Sequence, residues 1–269
     1  MIESPDARRQ TPEGNVDGEH TAFNEAIPSP IPMSRSGLWR LTAGDSILRR
    51  HRATLIPYLL IALLLVIASA RTPDFVSLGN LRSQLVLASY LATVAAGQTV
   101  VILTGGIDLS VAWNLNLSAI LLTQLAAASG SGRLAWAIVA ALGSAALVGL
   151  LNGLGVAYLR IPSLVMTLGM NAVLAGLTLV YTNGSPQGNA PGFARELAVG
   201  RIGGVLPYAL LFWLALGAAL IFLLRRFVFG RRLYAVGNNR QAAYLSGVPV
   251  RGVLVAAYTL CGLCAGIAG

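Results

Sequence analysis

The sequence predicts an all-α protein, a polytopic bundle of transmembrane helices, and three observations predict it. Charged residues make up 11% of the 269 positions and apolar ones 55%, against about 25% charged in an average soluble domain. The apolar residues run continuously over membrane-spanning lengths and do not alternate at period two, as the strands of a barrel would. All 19 basic residues are arginine, and they cluster between the apolar runs. That placement is the signature of membrane topology, so the formal charge of +9 points to lipid headgroups and not to nucleic acid.

The elements follow in order. Residues 1–50 hold five prolines, and six of the ten acids fall in the first 25 positions, so a disordered cytoplasmic tail is expected there and a transmembrane domain over 51–269. No apolar run starts before residue 53, which argues against a cleaved signal peptide. Spans are then expected at 53–70, 81–103, 109–128, 134–159, 162–181 and 208–228, with a seventh starting near 253; a helix needs about 20 residues to cross. Arg49, Arg50 and Arg52 precede the first span, and Arg225, Arg226, Arg231, Arg232, Arg240 and Arg251 follow the sixth. An N-terminus inside places both groups in the cytoplasm, as the positive-inside rule requires. Segment 182–207, with Arg195, Glu196 and Arg201 among glycines and prolines, becomes a long external loop. Because Gly269 lies within an apolar run, the chain is expected to be truncated at its C-terminus.

Lipid supplies no hydrophobic drive for helices to associate, so small residues that admit close backbone approach must do so. Gly149 with Gly153, Gly262 with Gly266, Ala92 with Ala96 and Ala172 with Gly176 have that spacing. Cys261 and Cys264 read as small packing residues. Gln98, Asn114, Asn116, Asn152 and Asn171 lie within spans, and Asp108 stands beside Gly105 and Gly106, a pair that lets the chain break its helix. These six are candidates for lining a translocation path. The five neutral ones suit a hydroxylated solute better than an ion, though the same residues can instead join helices.

The chain lacks lysine, so it cannot form the phosphate loop of common ATPases. It has no HExxH or GxSxG motif, and its two histidines, His20 and His51, precede the first span. No enzyme activity, metal or cofactor is indicated, and active transport would need an ATPase on another polypeptide.

Residues 104–111 read TGGIDLSV, 149–170 read GLLNGLGVAYLRIPSLVMTLGM, and 229–250 read FGRRLYAVGNNRQAAYLSGVPV. In this order and topology they resemble the membrane permease subunits of bacterial ABC importers for ribose, xylose and related monosaccharides, from about Asn80 onward. The resemblance implies an ABC-importer permease fold in the bacterial inner membrane. It also implies a second permease copy, two cytoplasmic ABC ATPase subunits and a soluble solute-binding protein that delivers the sugar. The segment after the sixth span would act as the coupling helix, its contact falling on Gly237, Asn238, Asn239, Arg240, Gln241, Ala242, Ala243, Leu245, Ser246 and Gly247. A short helix between Gly237 and Gly247 is expected there, with Ala242, Ala243 and Gly247 allowing close approach. Two departures stand out. Arg240 and Gln241 occupy positions where family members commonly carry acids, and Ala112 replaces a glycine. Competing readings are a passive channel or secondary carrier for a small neutral solute, and a fragment that assembles without transporting.

Overall fold

The computed structural model describes residues 56–72, 74–127, 134–204 and 206–269. The expected tail over 1–50, both histidines and the arginines at 49, 50 and 52 lie outside the described residues. The helices are α1 (Ile56–Arg71), α2 (Leu78–Ile102), α3 (Val111–Ala127), α4 (Leu134–Ala157), α5 (Ser163–Tyr181), α6 (Gly192–Val199), α7 (Tyr208–Arg226), α8 (Val228–Asn238), α9 (Arg240–Leu245) and α10 (Val250–Ala268). By length and composition α2, α4, α5, α7 and α10 can cross a membrane, while α1 and α3 are apolar but shorter. Helix α1 belongs to a unit of its own, Met1–Arg71, and exposes apolar side chains along most of its length.

Local chemistry sets the helix starts. Ser77 caps α2, its Oγ accepting from the Asn80 N–H at 3.2 Å. Prolines 162, 191, 207 and 249 precede α5, α6, α7 and α10, where a residue without an N–H leaves no helical donor unpaired. Helix α3 begins two residues later than expected. Asp108 Oδ1 accepts from the Ser110 N–H at 2.9 Å and from its hydroxyl at 2.6 Å, which holds Leu109 and Ser110 outside the first turn.

The core is a seam between α4 and α10. A Cβ at Gly149 would collide with the Tyr258 carbonyl, and one at Gly153 would sit 2.7 Å from the Val255 Cα. In return a Cβ at Gly262 would meet the Ala145 carbonyl and come within 3.0 Å of the Gly149 Cα. The two GxxxG motifs therefore both line this seam, meeting each other at Gly149 and Gly262, and neither backbone could approach this closely past a side chain. Across the seam, Gly97 on α2 leaves room for Cys261 and Cys264, both buried free thiols, which agrees with their reading as packing residues. The fourth small pair goes unused among the described residues: Ala172 and Gly176 are exposed, and none of those residues lies within 4 Å of a Cβ at Gly176.

Helices α5 and α7 wrap this core and expose apolar side chains outward; on α7 only Ala209 is buried. So much exposed apolar surface on well-formed helices is what a lipid solvent accepts and water does not. Among the described residues, Arg160, Arg225, Arg226, Arg231, Arg232, Arg240 and Arg251 gather at one end of the bundle, and Arg82, Arg195 and Arg201 lie toward the other. Segment 182–207 is more than a loop. It carries α6 and a two-stranded pairing of Arg201–Ile202 with Leu206–Pro207, and the Tyr90 hydroxyl donates to the Ala198 carbonyl at 3.2 Å, tying the segment to α2.

Candidate functional site

At the arginine-rich end the chain leaves α7 and forms a ledge from α8 and α9. Helix α8 buries Gly230, Leu233 and Val236, a spacing of three that keeps one face inward, and turns Arg231, Arg232 and Tyr234 outward. Gly230 is required at the corner, because any Cβ there would overlap the Leu224 carbonyl. Asn239 then breaks the helix in an extended conformation (φ −159°, ψ 109°), and its Oδ1 accepts from the N–H groups of Gln241 and Ala242, both at 2.9 Å. This N-cap starts α9. The helix stops at Gly247 (φ +78°), where the Val248 N–H reaches the Ala243 carbonyl and the Gly247 N–H the Tyr244 carbonyl, each at 3.0 Å. That paired closure around a left-handed residue favours glycine.

The expected short helix is thus present, but it begins at Arg240. Gly237 belongs to the helix before it, and its missing side chain serves a different approach: a Cβ would collide with the Leu103 carbonyl of α2. Of the three small residues expected to permit close contact, only Ala243 faces inward; Ala242 and Gly247 are exposed. Ala243 joins Val100, Ala157, Leu233, Val236, Val253, Leu254 and Ala257 in one apolar cluster that spans α2, α4, α8, α9 and α10. The ledge is therefore packed against the base of the bundle. Its outer side presents Asn238, Asn239, Gln241, Ser246 and two large apolar side chains, Tyr244 at 71% and Leu245 at 79% exposure, while the partly exposed Arg240 reaches back to the Thr104 carbonyl at 2.9 Å. Tyr244 is absent from the residues singled out by sequence. Its signal is the bulky apolar pair it forms with Leu245 on a six-residue helix that can bury only one side.

Behind the ledge the chain turns between α2 and α3. The Gly105 N–H bonds to the Ile102 carbonyl at 2.9 Å and the Gly106 N–H to the Val101 carbonyl at 3.3 Å, with Gly105 at φ +78°, so the glycine pair does end α2 as expected. The turn delivers Asp108 into the interior, 2% exposed. Asn152 of α4 donates to Ser110 Oγ at 2.8 Å and to Asp108 Oδ1 at 3.5 Å. With its amide oriented to satisfy both groups, Gln98 of α2 accepts from the Asp108 N–H at 3.0 Å and donates to the Asp108 carbonyl at 3.3 Å. Higher in α3, Asn114 donates to the carbonyls of Ala145 and Gly262 at 3.3 and 3.4 Å. One turn on, the Ser118 hydroxyl lies 3.2 and 3.1 Å from those of Ala141 and Gly266.

This geometry divides the six path candidates. Asp108, Asn114 and Asn152 are buried between helices and hydrogen-bonded to them or across them, so in this packing they join helices. Asn116 is exposed, bonded only within its own helix to the Ala112 carbonyl at 3.1 Å, and Gln98 and Asn171 are half-buried.

Residues 80–269 match the family described as the permease component of the branched-chain amino acid transport system. The chain belongs to this permease family. The permease is 38% identical over 218 residues to the ribose import permease protein of Escherichia coli (strain K12), covering 78% of this chain and 66% of that protein. It is 32% identical over 238 residues to the L-arabinose ABC transporter permease protein of Azospirillum brasilense, covering 88% of this chain and 66% of the relative. A third relative, the fructose import permease protein of Rhizobium meliloti, is 35% identical over 185 residues, with 65% and 51% covered. The permease sequence thus spans about two thirds or less of the length of these relatives. No solved structure matches it.

Proposed function

We propose that the permease is a membrane-spanning subunit of an ATP-driven importer, in which ATPase subunits dock on the ledge of α8 and α9 and a solute-binding protein hands over a monosaccharide on the opposite side. The observation that carries this reading is the ledge itself. Tyr244 and Leu245 offer an apolar knob to a partner, while Ala243 and its cluster fasten the same short helix to the bundle. A rigid lever exposed at one side and fused to the spans at the other suits transmission of a rigid-body push. The contact comprises Gly237, Asn238, Asn239, Arg240, Gln241, Ala242, Ala243, Leu245, Ser246 and Gly247, with Tyr244 added.

The arginine-rich end then faces the cytoplasm of a bacterium, the N-terminus lies on the same side, and the membrane is the inner one. The relatives' names specify ribose, D-allose, L-arabinose and fructose, all neutral polyhydroxylated molecules. Gln98, Asn116 and Asn171 could meet such a solute with uncharged donors and acceptors. The open face of α5 around Ala172 and Gly176 is available for a second permease copy.

The test is co-purification with a candidate ATPase and binding protein, followed by uptake of radiolabelled D-ribose, D-allose, L-arabinose and D-fructose into vesicles. ATP-dependent uptake is expected for at least one sugar, and uptake that proceeds equally without ATP means a passive carrier. Leu245→Arg should lower ATPase retention about tenfold or more, as removal of an exposed interface anchor does, while leaving the permease folded. Unchanged retention would remove α9 from the interface.

A further inference from the structure

We infer that Arg240 is a transmission residue: its guanidinium straps the coupling helix to the carbonyl end of α2, and through that end to the buried turn that carries Asp108. This rests on the importer reading above and names the route by which the ledge reaches the spans. Arg240 occupies the first position of α9, directly after the Asn239 cap. A cation there is opposed by the positive end of its own short helix. It does not point along that helix. One of its terminal nitrogens donates to the Thr104 carbonyl at 2.9 Å, in the turn just past the C-cap of α2 that closes around Gly105. The charge thus sits at the negative end of a different helix, where a cation is favoured.

The neighbouring contact falls on the same place. Gly237, three residues earlier, presses its backbone against the Leu103 carbonyl, so α8 and α9 both engage the last turn of α2, one by shape and one by a directed hydrogen bond. Beyond Thr104 the chain has little slack. Thr104 is buried, with its hydroxyl on the Val101 carbonyl at 2.7 Å. The Ile107 and Leu109 N–H groups reach Ser163 Oγ at 3.4 Å and Thr167 Oγ1 at 3.0 Å on α5. Asp108 and Ser110 then reach Asn152 on α4. A displacement of α9 passed to Thr104 is therefore shared with α2, α4 and α5 through bonds already formed. An acid at position 240 could not make this bond, because a carboxylate has no donor for a carbonyl.

The experiment uses the complete importer complex in proteoliposomes and measures two quantities for each variant: ATP hydrolysed, and D-ribose or another transported panel sugar moved per ATP. Counted per bound ATPase, Arg240→Ala should move about fivefold less sugar per ATP or lower, the range of a typical coupling energy. Arg240→Lys, which keeps a cationic donor on a long stem, should recover part of that ratio. Hydrogen exchange at 104–109 should quicken in Arg240→Ala. A purely structural role would lower the yield of complex without changing sugar per ATP. An unchanged ratio in Arg240→Ala overturns the proposal, whether or not less ATPase is bound, and so does complete loss of the ATPase, which would leave Arg240 an ordinary docking residue. If the unaltered permease retains no ATPase at all, the importer reading falls first and takes this inference with it.

Discussion

Helices α4 and α5 carry the same small-residue spacing and put it to different uses. On α4, Gly149 meets Gly262 of α10 and Gly153 meets Val255, so closely that a Cβ at Gly149 would overlap the Tyr258 carbonyl. On α5, Ala172 and Gly176 face outward with open space around Gly176. Spacing makes close approach possible without choosing a partner. The α4–α10 seam is chosen by what surrounds it: Asn114 and Ser118 of α3 link carbonyls of both helices, while no comparable polar link is seen at the outer face of α5 among the described residues.

That contrast can be broken most forcefully at Gly149. Gly149→Leu should destabilise the bundle by about 3 kcal/mol or more, the upper end for overpacking, because the obstructing atoms are backbone and cannot swing away. Thermal unfolding in detergent, followed by the reaction of buried Cys261 and Cys264 with a thiol-specific dye, reads this directly. A midpoint equal to the unaltered chain's would mean that the seam can open without loss.

Next in size is Asn152→Leu, which conserves volume and removes the donor shared by Asp108 and Ser110. A cost of about 1–3 kcal/mol is expected from the partners left short, and no change in the same assay would show that water replaces the amide. Asn114→Leu should cost less, about 0.6 kcal/mol, typical of hydrogen bonds between membrane helices; an effect as large as that of Gly149→Leu would make the amide link, and not the glycines, the basis of the seam. The smallest effect belongs to α5. Gly176→Leu should shift stability by no more than about 0.5 kcal/mol, and a drop matching Gly149→Leu would show that this face is buried and end the comparison.

Helix identity, direction and the arginine-rich end were legible in the residues because each depends on a local property. Apolar length decides whether a segment can sit in lipid, arginine placement distinguishes the two ends of the bundle, and Gly105 ends α2 through its own backbone freedom. Asp108, Asn114, Asn116 and Asn152 read alike in the sequence, since a polar side chain in an apolar span signals only that a partner is needed. Which partner it finds depends on helices 31 to 148 residues away for Asn114, and on 136 residues of separation for Arg240 and Thr104. The sequence by itself determined what each segment must be in a bilayer. The tertiary structure decided which glycines meet, which amides are spent on joining helices and where Arg240 points, because those choices turn on ångström-scale fit between surfaces that only the folded bundle brings together.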